Sequence, residues 1–280
     1  MVLPIFRLAR QFNFRVVIKD GAYLLGGAGF AFIPIEGAFK TARKILRIPP
    51  EDGRLRFESG VVIVERDDGL SPAEETLATE PYKHKLPRRN RDRILRGFTI
   101  PNNMLPEWIG GLSLPAAISE HLNCLPARRV SFSDGHATVL TPDCHVSTPI
   151  MPEIDIGKAF DMGLLLTARA LAFYSCAVVE SGLRYSDNTR GVYIFAQALN
   201  PLKPCKFEGG DVIPAHTLNY RVAGNDVVVD LSCIDHEPIR VSRSPFVALM
   251  QAAKTIRIKV VRNFAMIETE SGIGSLRLRS

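Results

Sequence analysis

At 280 residues the chain is long enough to bury a large core and to hold one large domain or two small ones. With 46% hydrophobic and 23% charged residues, the composition excludes wholesale disorder. The net charge of +6 and pI near 9.2 favour phosphate-rich or acidic-membrane partners and say nothing about fold.

In chain order, Phe12 to Ile18 alternates apolar residues and reads as a strand. Gly26-Gly27-Ala28-Gly29 lacks the G-x-G-x-x-G and G-K-[ST] spacings of nucleotide loops and reads as a flexible connection. Ala38, Phe39, Ala42, Ile45 and Leu46 have helical spacing, and Pro49-Pro50 stops the helix they predict over 38–48. Leu55 to Val64 reads as two strands about Ser59-Gly60. Asp67 to Glu80 is acidic and loop-like. The sign then reverses with Lys83, Lys85, Arg88, Arg89, Arg91, Arg93 and Arg96, opposed only by Asp92. Such a block is a solvated face or a contact for a nucleic-acid backbone, with Tyr82 and Phe98 placed to stack bases.

Pro101 to Pro126 is punctuated by proline and holds Trp108, a packing anchor. Arg129 to Leu140 is a hairpin about Asp134-Gly135, a pair suited to a type I′ turn. Asp155 is placed to cap the apolar helix that follows and Gly182 to end it. Gly191 to Ala196 is a further β-run, and Thr217 to Val222 pairs across a turn with the strand that begins at Val227. From there the order is strand (Val227 to Asp235), short helix (Phe246 to Lys254), basic strand (Ile256 to Val260). No internal repeat is visible. The expected fold is mainly β, a jelly-roll-like β-sandwich with a few inserted helices. It divides into 1–98, an N-terminal basic region with strands and one helix, and 99–280, a β-rich core.

Cys124, Cys144, Cys176, Cys205 and Cys233 stand far apart with no C-x-x-C pair, which argues against a disulfide framework or common zinc site and for a reducing cytosol. No signal-peptide pattern opens the chain. The Gly21 to Ile35 stretch is too short to span a membrane, and Met162 to Val179 carries Arg169 near its middle. Peripheral membrane contact stays open. Asp143-Cys144-His145 is a weak nucleophile motif, since catalytic partners meet in space rather than along the chain. His216, Asp235 and His236 form only a loose metal or acid–base set. No cofactor and no metal are expected. Asp235 ends an apolar run and is expected to be buried against Arg240 or Arg243, or to hold turn amides.

The segments Leu231-Ser232-Cys233-Ile234-Asp235 and Lys254-Thr255-Ile256-Arg257-Ile258-Lys259-Val260-Val261-Arg262-Asn263-Phe264-Ala265 resemble plant-virus cell-to-cell movement proteins of the thirty-kilodalton superfamily. The resemblance covers the last quarter to third of the chain. It implies a jelly-roll-like core, binding of single-stranded RNA, host plasmodesmal partners, residence in host cytoplasm and cell junctions, and no catalysis. Asp235 would be the family's structural aspartate. Relatives continue further past that aspartate, so the N-terminal part would have to supply the remaining strands. From charge and strand parity, Arg257, Lys259 and Arg262 join the block from Lys83 to Arg96 as the RNA-facing set. The expected function is a self-associating, non-enzymatic movement protein. A viral coat or nucleocapsid protein, and a cytosolic enzyme without a recognisable motif, are the alternatives.

Overall fold

The computed structural model describes residues 5–40, 42–47, 54–59, 61–67, 72–89, 92–99, 129–150, 155–173, 175–251 and 253–280. The chain is mainly β, and every strand pair is antiparallel. Trp108, Cys124, Arg91, the Pro49-Pro50 stop and the proline-punctuated stretch lie outside the described residues.

Two compact units form: residues 1–99 with 163–195, and residues 100–162 with 196–280. The chain therefore passes between them after Thr99, Met162 and Phe195, whereas the sequence reading divides it once, after residue 98.

The first unit holds a nine-stranded sheet. Its centre is two meanders, β1 (Arg15–Ile18), β2 (Ala22–Gly26), β3 (Gly29–Ile33) and β14 (Ser175–Val179), β15 (Gly182–Ser186), β16 (Gly191–Phe195). They meet where β3 pairs β16, Ala31 facing Val192. The flanks are β4 (Lys44–Leu46) and β8 (Thr79–Pro81) on one side and β9 (Ile94–Thr99) on the other. A separate meander consists of β5 (Arg54–Glu58), β6 (Val61–Asp67) and β7 (Pro72–Leu77).

The second unit repeats the plan. Its meanders β10 (Arg129–Ser133), β11 (His136–Leu140), β12 (Cys144–Pro149) and β21 (Thr255–Val261), β22 (Phe264–Thr269), β23 (Gly272–Arg277) meet where β12 pairs β23. β13 (Lys158–Asp161) and β17 (Asp211–Pro214) flank them. The small sheet β18 (Tyr220–Ala223), β19 (Asp226–Val229), β20 (Ile239–Ser242) completes the unit.

Three of the four central meanders follow a described helix: α1 (Ile5–Phe12), α2 (Met162–Ala170) and α3 (Arg243–Met250). The molecule thus contains a repeat that the sequence does not show, because it is a repeat of pattern and not of residues. Each sheet has a helix face and an opposite face, assigned by parity. In the first unit Val16, Leu24, Ala31, Ile194, Leu183 and Cys176 share the helix face, all buried.

Several local expectations differ from the structure. Within the predicted helix over 38–48, Lys44–Leu46 is the strand β4, because Val16 and Val17 offer a ladder that a free helix would not have. The apolar stretch after residue 161 is helical only to Ala170. Cys176 to Val179 then pair as β14, and Gly182 opens β15 instead of ending a helix. Asp155 caps nothing there: its Oδ2 accepts the Gly135 N–H at 2.6 Å. The acidic stretch before Glu80 includes β7, paired with β6.

Candidate nucleic-acid interface

The three described helices carry charge of one sign. α1 reads IFRLARQF, α2 MGLLLTARA and α3 RSPFVALM. Every ionisable residue on these three helices is an arginine: Arg7, Arg10, Arg169 and Arg243, all exposed. The packing sides explain the placement. Ile5, Phe6, Leu8 and Ala9 of α1 are buried, leaving Arg7 and Arg10, three apart, on the outer stripe.

The opposite faces are crossed by straps. In the first unit residues 82–89 leave the β8 edge and cross the face, and 92–93 lead into β9. Tyr82 and Leu86 pack on Tyr23, Phe30 and Phe32, and the Arg89 guanidinium lies 3.8 Å from the centre of the Phe32 ring. Burial pushes the Tyr23 and Tyr193 hydroxyls above their ordinary values, and the Arg89 charge pulls both partly back. The Arg43 Nη1 donates to the His84 carbonyl at 2.6 Å.

In the second unit residues 196–210 cross a face rich in buried hydroxyls. Ser133 Oγ donates to the Leu202 carbonyl and Leu202 N–H to Ser131 Oγ, both at 2.9 Å. Cys205 N–H reaches Ser147 Oγ at 2.7 Å, and the Lys203 carbonyl lies 3.0 Å from His145 Nε2. These bonds satisfy backbone that would otherwise lie unpaired on the sheet. A cavity of about 620 Å³ opens beside this strap, lined in part by Arg129, Leu140, Thr141, Leu199 and Leu202.

The expected nucleic-acid residues are dispersed. Lys83, Lys85, Arg88 and Arg89 are exposed on the first strap, and Arg93 lies between that strap and β9. Arg96 faces Val178 on the helix side of the sheet edge, and Arg91 lies outside the described residues. Arg257 and Lys259 share a strand face as expected, but it is the strap face. There Arg257 pairs with Glu268 at 2.9 Å and Lys259 donates to the Glu208 carbonyl at 3.2 Å. Arg262 is exposed at the β21–β22 turn with φ 51°.

Asp235 is not a buried strand end. β19 stops at Val229, and Asp235 is an exposed left-handed residue closing the 3-10 turn Ser232–Ile234. Among the described residues the buried acid is Asp226, which meets Arg240 Nε at 2.8 Å and Arg279 Nη1 at 3.2 Å. Arg240 thus partners a different aspartate from the one its sequence neighbourhood suggests, and Arg279, 53 positions on from Asp226, has no local signal to mark it. Arg7 and Arg10 also escape a reading by sequence, in which residues 5–11 belong to no element; an acid-free amphipathic octet is the signal that finds α1.

Asp143, Cys144 and His145 hold structure: Asp143 pairs with Arg279 at 2.7 Å, Cys144 Sγ meets Thr141 Oγ1 at 3.2 Å, and His145 meets the second strap. His216, Asp235 and His236 are exposed, and among the described residues no group of three His, Cys, Asp or Glu is placed to hold a metal. Burial pushes the Cys176 thiol up to about 12, against the opposing effect of its bond to Tyr185, so it is not a thiolate at neutral pH. No described helix is long and apolar enough to cross a membrane.

No family model matches the sequence, and no curated protein matches it. Solved structures do match the fold over nearly its full length. The DNA polymerase III beta subunit of Thermotoga maritima aligns with TM-score 0.57 at 10% identity, covering 98% of this chain and 96% of that one. The DNA polymerase sliding clamp of Bacillus subtilis gives 0.52 at 12%, covering 97% and 92%. The Helicobacter pylori beta clamp bound to DNA ligase peptide gives 0.51 at 8%, covering 98% and 96%. These matches overturn the resemblance to movement proteins, and with it the expectations of genome transport, single-stranded RNA, plasmodesmal partners and a host cell junction. Short β-branched and basic strands carried that resemblance, and any half-buried sheet supplies such strands. At this level of identity the likeness establishes the fold: the chain is built as the polymerase III beta subunits are.

Proposed function

We propose that the protein is a non-enzymatic, sliding-clamp-type DNA polymerase accessory subunit, holding duplex DNA through contacts that ignore sequence. The observation that carries this reading is the arginine-only charge of the three described helices, on a fold shared with proteins described as sliding clamps. Arginine on phosphate gives affinity without base readout and lets a protein move along the duplex. In this reading the finer architecture is a pair of clamp-like sheets and not a jelly roll: consecutive hairpins build each half-sheet, and helices cover one face. The cavity beside the second strap is the place for an apolar side chain of a partner peptide, as its exposed Leu140 and Leu199 suit. Self-association belongs to the same reading and is supported by the edge strand β9, where Ile94 and Leu95 are exposed.

A salt titration of duplex binding tests the proposal. Wild-type affinity should fall steeply with salt and vary little with sequence. Converting Arg7, Arg10, Arg169 and Arg243 to Gln should flatten the log–log slope by about 0.9 for each phosphate no longer neutralised. A slope unchanged in the fourfold variant ends the reading.

A further inference from the structure

The basic strap of the first unit plays no part in the contact just described, because it crosses the sheet face opposite the helices. Its side chains divide by role. Tyr82 and Leu86 point into the aromatic cluster of the sheet and Arg89 stacks on Phe32. Lys83, Lys85 and Arg88 are exposed, and none of them is ion-paired among the described residues. The backbone is fixed at both ends. Tyr82 N–H donates to the Arg43 carbonyl at 2.9 Å, and Glu180 N–H to the Arg93 carbonyl at 3.3 Å. Two acids stand at the ends: Glu80, which faces Ile45 on β4, and Asp92, which accepts from the Ser181 hydroxyl. Arg184, opposite Tyr193 in the ladder, adds a half-buried positive charge to the same face.

We propose that this strap is a track for the sugar–phosphate backbone of single-stranded DNA, a second nucleic-acid site distinct from the helix faces. Three features argue for a single strand. The charges lie in a file along one extended chain, Lys83 to Arg88 reaching at most about 17 Å at 3.3–3.4 Å per residue. A flexible strand follows such a file phosphate by phosphate, whereas a rigid duplex on a flat sheet touches only a short part of it. The strap is already ordered by its aromatic bed, so little conformational entropy is lost when phosphates arrive.

The test uses the full chain, a fluorescent oligothymidine and a duplex of equal length. K83Q/K85Q/R88Q should weaken oligothymidine binding at 0.1 M salt roughly 100-fold, counting about 0.7 of a decade per neutralised phosphate. It should flatten the salt slope by about 2 and leave duplex affinity and the melting temperature in place. The charge-keeping K83R/K85R/R88K should bind as wild type. Unchanged oligothymidine affinity in the neutralised variant overturns the proposal, as does joint loss of both DNA forms with a lowered melting temperature. Displacement of the oligonucleotide by equimolar polyglutamate overturns it too, since the strap would then be a site for an acidic peptide. The sliding-clamp reading stands or falls separately, on the helix-arginine variant and the duplex.

Discussion

Gly29 begins β3 at the join between the two halves of the first sheet, with φ 149°. A Cβ there would run into the Tyr193 carbonyl and the Leu164 side chain of α2. Bare backbone at this point is what lets a helix from the second meander sit over a strand from the first. Gly274 also stands at a join, that of β12 with β23 in the second sheet, where a Cβ would lie 2.5 Å from Leu249 Cδ1 of α3, the helix of its own meander. Overpacking against backbone at a positive φ is expensive, so Gly29→Ala should cost about 3 kcal/mol or more in urea unfolding. Gly27, two residues earlier with open space around it, should accept alanine within about 1 kcal/mol. Equal stability of the two variants would mean that the join can open to admit a methyl group. At this scale the sequence misleads about aspartates for a definable reason. An apolar run ending in Asp235 looks like a buried strand end, but the chain leaves the ladder at Val229, and the acid that matters sits at the head of β19 beside a partner at the far end of the chain.

The β15–β16 turn shows how an element is held from outside itself. Asp187 accepts from Thr189 N–H at 2.9 Å and Arg190 N–H at 2.7 Å, and its other oxygen meets the Arg190 guanidinium at 2.7 Å. The same guanidinium donates to the Leu171 carbonyl just past α2 and lies over Phe173. One aspartate thus fastens a hairpin to the exit of a helix. Burial alone would raise its carboxyl, but the bonds from Arg190 and Thr189 outweigh it and hold the group below the usual carboxylate range. A folded-state value below the unfolded one contributes stability above the unfolded pKa, about 3.9, and loses it as pH falls through the folded value. The melting-temperature gap between wild type and Asp187→Asn should therefore be widest above about pH 5 and narrow steadily in acid. A gap that stays constant down to about pH 2.5 would remove Asp187 from this role. Elements of this local kind are largely legible in the sequence. Asp134-Gly135 and Ser59-Gly60 mark their hairpins because the turn residues carry positive φ, 53°, 71° and, for Ser59, 48°. The 38–48 region is not legible, since Ile45 and Leu46 suit a helix face and a strand ladder equally and only the distant β1 decides.

For the molecule as a whole, the pairing order lies beyond reach of the sequence. β3 joins β16 across some 160 positions and β12 joins β23 across more than 120. Nothing in either strand specifies its partner beyond being apolar on one parity. The two sheets are also interleaved, each taking one meander from the first part of the chain and one from the later part. Interleaving limits how the chain can be cut. A fragment ending at Thr99 keeps β1–β3 and the strap but loses β14–β16. That strips Val192, Ile194, Leu183 and Tyr185 from the sheet and its core, bares the β3 edge that β16 had covered and leaves β9 with no strand beside it. Half a sheet with two bare edges and an uncovered apolar face should not fold by itself. The 1–99 fragment is therefore expected to give no cooperative thermal transition and to aggregate, whereas the full-length chain should melt cooperatively. A 1–99 fragment that unfolds sharply at micromolar concentration would show that the first meander is self-sufficient, and the interleaved plan would then be an arrangement of two independent pieces instead of one sheet built in two visits.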